Sequence, residues 1–321
     1  MEAVSQVTLQ LPGKIKSSIE KIPQESREKI EEIRFRINRP VLIGLKDGEM
    51  ILGPTGIATN KDKAIIVNQK DLQEIIQILS KNSLYAFHEE LKQGYITIPG
   101  GHRVGIVGET VIENGKISNQ KNISGLNFRI SREIIGAGKS TASIIFNSKT
   151  RWVENTLLVS PPGAGKTTLL RDLSRTFSDG LMGIEPFKVS MVDERSEIAG
   201  SYLGVPQKDV GMRTDVLDGC PKAHGIMLMI RSMSPDLIVT DEIGRDEDIL
   251  AIKEAINAGV KVLVSAHSDS MNSLLMRKGF IDLFKTEGFK FVIFLSRREG
   301  PGTIEATLSG QEFLKDKKIR G

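Results

Sequence analysis

Residues 156–173 decide the fold, and they read Thr-Leu-Leu-Val-Ser-Pro-Pro-Gly-Ala-Gly-Lys-Thr-Thr-Leu-Leu-Arg-Asp-Leu. The first four residues form an apolar run that is typical of a short buried strand, and the last leucines have helical spacing. Between them lies a phosphate-binding loop of the G-x-x-x-x-G-K-[ST] kind. The sequence therefore predicts a strand, an anion-binding loop and a helix in direct succession.

The residue types of this loop match the chemistry of phosphate binding. Small residues and glycines let successive backbone N–H groups curl around a phosphate, and the following helix points its positive end at the same anion. Lys166 adds a positive charge near the outer phosphates, and the Thr167 hydroxyl can bind magnesium. Ser160 stands where the pattern has its first glycine, and its small size favours a functional loop. The predicted nucleotide contacts are Ser160, Pro161, Pro162, Gly163, Ala164, Gly165, Lys166, Thr167 and Thr168.

The composition limits the class of protein. The chain has 321 residues, 39% hydrophobic and 26% charged, which is the balance of a soluble globular protein with room for two domains. A net charge of +4 permits a basic surface but does not require nucleic acid as a partner. The single cysteine, Cys220, excludes an internal disulfide and indicates a reducing, cytoplasmic compartment. No apolar run approaches the ~20 residues of a membrane span, so we expect any membrane association to be peripheral.

The chain divides by pattern into a smaller α+β domain, 1–140, and a phosphate-loop domain, 141–321. In the first domain we predict a mostly antiparallel sheet with arginines on several strands, among them Arg103, Arg129 and Arg132. These arginines either solvate exposed faces or reach a nucleotide held by this or a neighbouring subunit. The other predicted features are a helix at 26–32, strands at 33–37 and 64–67, helices at 69–80 and 83–92, a hairpin at 111–117 and a linker at 136–148.

The second domain alternates short apolar runs with helical segments, which predicts a mostly parallel sheet covered by helices. One of its strands, 236–240, ends in Asp241 and Glu242. In phosphate-loop ATPases the first such acid helps to hold magnesium and the second activates the attacking water. Asp241 is therefore the predicted metal-side residue and Glu242 the predicted base. The predicted strands are 156–159, 188–192, 237–240, 261–265 and 289–295.

Other polar residues follow strands of this domain, and the sequence leaves their roles open. Asp193 and Glu194 either join the same edge of the sheet or simply begin a loop. Ser265 or His267 either senses the terminal phosphate or is structural. The arginines that flank these strands are ion-pair partners or phosphate contacts, and spacing does not choose between the two; they are Arg231, Arg245, Arg297 and Arg298.

Several segments resemble known families. The run Asp-Glu-Ile-Gly-Arg-Asp at 241–246 resembles the Gly-Glu-Ile-Arg-Asp segment of type II and type IV secretion ATPases, with one extra glycine. Residues 255–268 are similar to the helix, glycine, strand and His box of those enzymes, and 192–197 resemble their Asp box without its proline. The match to the stage III sporulation protein AA family is closer and spans nearly the whole chain. It includes 95–105, 192–200, 210–223, 230–244 and 295–305.

This resemblance implies a RecA-like ATPase core behind the α+β domain, with ATP and Mg²⁺ at contacts between subunits of a hexameric ring. It implies that His267 takes the His-box role, that Asp193 and Glu194 take the Asp-box role, and that Arg103, Arg129 or Arg132 reaches the phosphates. It also implies a cytoplasmic protein, peripheral to the membrane on the mother-cell side of the forespore. Its partners would be the channel proteins of a secretion-like sporulation complex.

The sequence is compatible with three functions. The first is an ATPase that drives assembly of, or transport through, a membrane channel. The second is a nucleic-acid motor on the same core, which the arginine-rich strands favour. Aromatic residues are only 5% and form no evident stacking platform, so nucleic acid is not the expected partner. The third is a switch that binds ATP without turnover, and the carboxylate of Glu242 at the base position argues against it.

Overall fold

A computed structural model describes residues 3–80, 91–92, 94–268, 273–274, 276–285, 288–310 and 312, without the side chains of Lys116 and Lys278. The predicted helix at 83–92 lies almost entirely outside these residues. Contacts divide the chain into two compact units, Met1–Arg132 and Glu133–Gly321. This boundary precedes the predicted one at 140. The backbone N–H groups of Gly136 and Gly138 donate to the Asp172 carboxylate at 3.0 and 2.7 Å, which ties this segment to the second unit.

The first unit contains a seven-stranded antiparallel sheet in the order β4-β3-β2-β1-β7-β6-β5. Its longest pair is the hairpin β6–β7, which includes the predicted 111–117 hairpin at its tip. The described strands are β1 Ile30–Arg36, β2 Leu42–Leu45, β3 Gly48–Gly53, β4 Gly56–Ile57, β5 Tyr95–Ile98, β6 His102–Glu113 and β7 Lys116–Arg129.

The described part of the first unit also contains α-helices. They are α1 Ala3–Thr8, α2 Gly13–Glu20, α3 Gln24–Glu28 and α4 Gln69–Ser80. Apolar side chains from α1, α2 and α4 pack with those of the sheet, such as Phe35 and Phe128, in one buried cluster. The predicted cap of α4 is confirmed, because the Asn68 side chain accepts the N–H groups of Lys70 and Asp71 at 2.8 and 3.0 Å.

Two local predictions in this unit are wrong. The segment 26–32 is not one helix, because α3 ends at Glu28 and β1 begins at Ile30. From Ile33 to Arg36 buried and partly exposed residues alternate, which is the period of a strand, and this pattern outweighs the helix-forming residues before it. Residues 64–67 form only isolated bridges, between Ile66 and Pro40 and between Val67 and Ile37.

The second unit contains a seven-stranded sheet in the order β12-β11-β13-β14-β10-β15-β16, parallel except for the last pair. The predicted mostly parallel sheet is therefore confirmed. Its strands are β10 Thr156–Ser160, β11 Val189–Asp193, β12 Thr214–Asp218, β13 Leu237–Thr240, β14 Lys261–His267, β15 Phe291–Ser296 and β16 Thr303–Ser309. A separate small hairpin pairs β8 Phe146–Asn147 with β9 Trp152–Val153.

The helices of the second unit are α5 Lys139–Ile145, α6 Lys166–Asp179, α7 Lys222–Met233, α8 Asp246–Asn257 and α9 Lys278–Lys285. Helix α5 lies in the segment predicted as a linker, and its Ala142 and Ile145 are buried against the core of this unit. The linker prediction is therefore wrong for these residues. No helix in the described ranges is both long enough and apolar enough to cross a membrane.

The sheet positions the site. Strands β10, β11, β13 and β14 run parallel, so their carboxyl ends meet at one edge. Every residue of β10, β11 and β13 is buried, which fixes these strands between two layers. The polar residues that follow the strands are therefore held by rigid elements.

Candidate functional site

The phosphate-binding loop joins β10 to α6. Gly163 and Gly165 have φ angles of 70° and 92°, in the left-handed region that favours glycine. A Cβ on Gly165 would lie only 2.9 Å from the backbone nitrogen of Gly302, so this position also lacks room for a side chain. Ser160 is accommodated without a positive φ, and its hydroxyl donates to the Pro161 carbonyl at 2.8 Å. The backbone at this position therefore does not require a glycine.

Lys166 begins α6 and its ammonium group points back into the loop. Its Nζ donates to the Ser160 carbonyl and hydroxyl, each at 3.0 Å, and to the Pro161 carbonyl at 3.3 Å. Burial lowers the pKa of Lys166 to about 8, although the carboxylates of Glu242 and Asp241 act in the opposite direction. The lysine is therefore held in place before any anion arrives. Thr167 and Thr168 follow it in the first turn of α6 and are partly exposed.

His267 connects the loop to the acidic strand. Its Nδ1 lies 3.0 Å from Lys166 Nζ, and its Nε2 lies 2.5 Å from Glu242 Oε1. An ammonium group only donates hydrogen bonds, so Nδ1 is the acceptor and the imidazole proton sits on Nε2, where it donates to the carboxylate. The structure thus brings together Lys166, His267 and Glu242 in one hydrogen-bonded chain.

Glu242 sits just beyond the end of β13 in an uncommon backbone conformation. Its φ is 44°, which a non-glycine residue adopts at a cost, and its N–H donates to Ser265 Oγ at 3.0 Å. Its second carboxylate oxygen accepts from Arg195 Nη1 at 3.0 Å. Sequence reasoning assigned no role to Arg195. Its position two residues beyond the acidic end of β11 was the available signal.

Asp241 differs from Glu242 in that it is almost completely buried, with 1% of its surface exposed. Neither of its carboxylate oxygens has a hydrogen-bond partner in the described part of the chain. Burial, reinforced by nearby Asp193, raises the pKa of Asp241 to about 7. A buried carboxylate without a partner fits the role of a cation ligand, because a bound cation would compensate its charge.

The oxygen donors at this site are of the kind that Mg²⁺ uses. Within the described ranges, no group of three or more His, Cys, Asp or Glu side chains forms a metal-binding cluster. Magnesium is usually held by one or two protein oxygens together with substrate phosphates. Asp241 and the Thr167 hydroxyl are suitable donors of that kind.

The acidic residues at the end of β11 organise the next loop. Asp193 is fully buried and accepts the N–H groups of Glu197 and Ala199, each at 2.8 Å, while burial raises its pKa. Glu194 pairs with Lys222, which is 6% exposed. Arg171 of α6 donates to the carbonyls of Ile198 and Glu197 at 2.5 and 2.8 Å. The helix after the phosphate loop is therefore fastened to the loop that carries Arg195.

The three arginines predicted in the first domain have different surroundings within their own unit. Arg132 donates to the carbonyls of Glu28 and Ile30 at 2.6 and 2.5 Å, which is a structural role. The guanidinium of Arg103 lies over the ring of Tyr95, 4.3 Å from its centre. Arg129 is exposed and stands directly opposite Arg103 in the β6–β7 pairing. Arg129 and Arg132 are both exposed, whereas Arg103 is partly buried.

The family follows from comparison with known proteins. A family model described as sporulation stage III, protein AA, matches residues 2–312. The chain belongs to the stage III sporulation protein AA family. It is 44% identical over 294 residues to the stage III sporulation protein AA of Bacillus subtilis, covering 92% of this chain and 91% of that protein. The family predicted from the motifs is therefore confirmed.

Solved structures show which fold this family member has. The Legionella pneumophila ATPase DotB is similar with a TM-score of 0.56 at 16% identity, covering 91% of this chain and 80% of DotB. The pilus retraction motor PilT, solved with bound ADP, is similar with a TM-score of 0.58 at 13% identity, covering 92% of this chain and 86% of PilT. The predicted RecA-like α/β fold of secretion ATPases is confirmed.

Proposed function

We propose that this stage III sporulation protein AA family member is a Mg²⁺-dependent ATPase that energises assembly of, or transport through, a membrane channel complex during sporulation. The observation that carries the proposal is the convergence of Lys166, His267 and Glu242 in one hydrogen-bonded chain beside the unpartnered carboxylate of Asp241. A purely structural strand–loop–helix turn has no need of a buried lysine, a buried unpaired acid and an aligned base together.

The chain's own residues divide the work of hydrolysis. Backbone N–H groups of 163–168 and the start of α6 bind the phosphates, and Lys166 neutralises charge on the outer ones. Asp241 and Thr167 would hold Mg²⁺, which supplies charge neutralisation on the phosphate oxygens. Glu242 orients the attacking water and accepts its proton. His267 keeps its proton on Nε2 and so holds the Glu242 carboxylate in place.

Arrival of a terminal phosphate would also change the contacts of these side chains. Lys166 would exchange carbonyl and imidazole contacts for phosphate oxygens, which releases Nδ1 of His267. Glu242 would then exchange its contacts with Arg195 and His267 for the water. In this proposal the contacts of His267 with Glu242 change when a phosphate binds Lys166. The loop of Asp193 and Glu194 positions Arg195, which binds the Glu242 carboxylate.

The proposed assembly is a hexameric ring, cytoplasmic and peripheral to the forespore membrane on the mother-cell side, with channel proteins of the sporulation complex as partners. Similarity to secretion ATPases supports this assembly by fold alone. Exposed Arg129 and, after leaving Tyr95, Arg103 are the candidates to reach the nucleotide of a neighbouring subunit, whereas Arg132 is engaged by backbone carbonyls.

The test is ATP turnover per protein molecule as protein concentration rises, with Glu242→Gln as the blank. The proposal predicts a rate that climbs with concentration until rings are complete, together with a mass in solution that rises in parallel. Glu242→Gln should retain ATP and lower turnover by a factor of about 100 or more. Turnover in the wild type no greater than in this variant would contradict the proposed ATPase.

A further inference from the structure

The turn between β15 and β16, residues 297–302, lies against the phosphate-binding loop. Arg297 Nε donates to the Gly163 carbonyl at 2.7 Å, and the Gly302 N–H donates to the Ala164 carbonyl at 2.8 Å. Gly165 has no room for a Cβ because of the same turn, and a Cβ on Gly163 would collide with the Arg297 guanidinium. The turn therefore contacts three consecutive residues of the loop.

Sheet order separates this turn from the proposed catalytic residues. In the order β13-β14-β10-β15, Glu242 follows β13 and His267 ends β14, whereas Arg297 follows β15 on the other side of β10. Lys166 meets His267 on the first side. If the terminal phosphate lies beside Glu242, the nucleotide extends across the loop and its ribose and base lie on the side of β15.

The atom that Arg297 contacts supports the same placement. In a phosphate-binding loop the backbone N–H groups face the anion, and the carbonyl oxygens face away from it. Arg297 binds the carbonyl oxygen of Gly163, so its contact leaves the backbone N–H groups of the loop available to the phosphates. The arginine is also exposed, which leaves the face of its planar group accessible.

Arg297 and the neighbouring Arg298 differ in their ion pairs. Arg298 is neutralised by Glu305 at 3.1 Å and Glu299 at 3.5 Å. Arg297 has no carboxylate within ion-pair distance among the residues that the structure describes. A guanidinium that is anchored through Nε alone keeps a free, rigidly placed π-face, and such groups stack well on aromatic rings.

We propose that the Arg297 guanidinium, which the β15–β16 turn holds against the phosphate-binding loop, stacks on the nucleobase of a bound nucleoside triphosphate. This inference rests on the proposed function, since it requires a nucleotide on the phosphate-binding loop. It assigns recognition of the base to a residue of the same chain that holds the phosphates. The interaction uses the face of the base, so the large ring of a purine is the favoured class.

The experiment measures two affinities in full-length protein carrying Glu242→Gln, which keeps ATP intact. Calorimetry gives the Kd of Mg²⁺–ATP and of Mg²⁺–tripolyphosphate, an inorganic chain with three phosphates and no base. Arg297→Ala should weaken ATP binding roughly 3- to 30-fold, the range for stacking on a guanidinium. The same variant should leave tripolyphosphate binding unchanged.

Two further variants control for charge and for the integrity of the turn. Arg297→Lys keeps the charge without the planar group, so its ATP affinity should fall nearly as far as that of Arg297→Ala. Arg298→Ala, the matched control on the next residue, should leave both affinities unchanged.

The results that would overturn the inference are distinct from those that would overturn the proposed function. Equal losses of ATP and tripolyphosphate affinity in Arg297→Ala would place the arginine on the phosphates, and no loss would remove it from the site. Full rescue by Arg297→Lys would reject stacking. If the parent protein binds neither probe, the proposed function itself fails.

Discussion

At the scale of the residue, the site is built around a lysine whose ammonium group already has hydrogen-bond partners before a ligand binds. Lys166 has oxygen partners inside the loop and an imidazole partner on β14, and burial holds its pKa near 8. A phosphate must replace these contacts, and it does so with full negative charge instead of neutral acceptors. The gain in binding free energy therefore comes from the exchange of neutral partners of Lys166 for a charged one.

Removal of this ammonium group tests the assignment of the loop. Lys166→Ala should weaken Mg²⁺–ATP binding by a factor of about 10 to 100, because a charge-assisted hydrogen bond to phosphate is lost. Equilibrium binding of a fluorescent ATP analogue measures the effect, with Lys188→Ala on the exposed surface as the control. An unchanged affinity would reject the loop as the nucleotide site.

The buried acid gives a pH dependence of stability. The pKa of Asp241 is about 7 in the folded protein, whereas an unfolded aspartate titrates near 4. Between these values the folded state binds more protons, so the free energy of unfolding of metal-free, nucleotide-free protein should fall as pH rises from about 4 to about 7. Asp193, whose pKa is also raised, adds a change of the same sign.

Asp241→Asn isolates the contribution of this one carboxyl group. The variant cannot ionise, so its melting temperature should decline less between pH 5 and pH 8 than that of the wild type. Thermal denaturation in a chelator at both pH values measures the difference. Any loss of stability from the substitution that is the same at both pH values does not affect this comparison. Equal declines in the two proteins would show that Asp241 ionises as an ordinary exposed acid.

At the scale of the element, helix α7 depends on a glycine that the pattern of apolar residues does not explain. A Cβ on Gly225 would lie 2.5 Å from Cγ1 of Val192 in β11, so the helix and the sheet touch closely there. Lys222 enters the acidic loop from the first turn of the same helix. The close approach of α7 therefore helps to fix the residues around Glu194.

Two glycine substitutions compare close packing with helix propensity. Gly225→Ala should lower stability by about 1 to 3 kcal/mol, because overpacking outweighs the gain of about 1 kcal/mol from alanine in a helix. Gly13→Ala at the start of α2 meets nothing within 4 Å and should be neutral or stabilising. Urea denaturation of both variants measures the contrast, and similar effects at the two sites would refute the packing argument.

At the scale of the whole molecule, the chain consists of two compact units, and the candidate nucleotide residues on the phosphate loop all belong to the second. The only tryptophan, Trp152, lies in this unit and packs against Phe187 with ring centres 4.9 Å apart. Its fluorescence therefore reports unfolding of the second unit, while circular dichroism reports both.

A ligand that binds only the folded second unit should raise its unfolding transition. In the Glu242→Gln protein, Mg²⁺–ATP at about 100 times its Kd should stabilise the unit by about 2.7 kcal/mol. The midpoint reported by Trp152 fluorescence should rise accordingly, and Mg²⁺ without nucleotide provides the control. If ATP leaves this unfolding midpoint unchanged, the nucleotide does not bind the second unit as proposed.

The sequence predicted the parts of the molecule that local pattern determines. The phosphate loop and the Asn68 cap each depend on residues close together in the chain, and the mostly parallel sheet follows from the local alternation of apolar strands and helices; all three are present. Helix α7 and strand β12 were not predicted. Strand β12 is an edge strand whose two aspartates interrupt the apolar pattern, and α7 carries Gly225, an unfavourable residue for a helix, at a contact with the sheet.

The contacts of the candidate site depend on distant parts of the chain, and this limits what sequence reveals. Arg195 meets Glu242 across 47 residues, and Arg297 meets Gly163 across 134. Spacing put His267 and Glu242 each at the end of a strand, left the role of His267 open, and did not show which atom of the imidazole faces which partner. Tertiary packing determines these pairs, and no local pattern encodes them.

The two ends of the second sheet have an implication for solubility. Strand β12 closes one end with Asp215 and Asp218, and β16 closes the other with Glu305. Open strand edges attract other strands, and charged side chains on an edge discourage such pairing because they would have to be desolvated. The charged residues on these two edge strands therefore disfavour edge-to-edge aggregation of the second sheet.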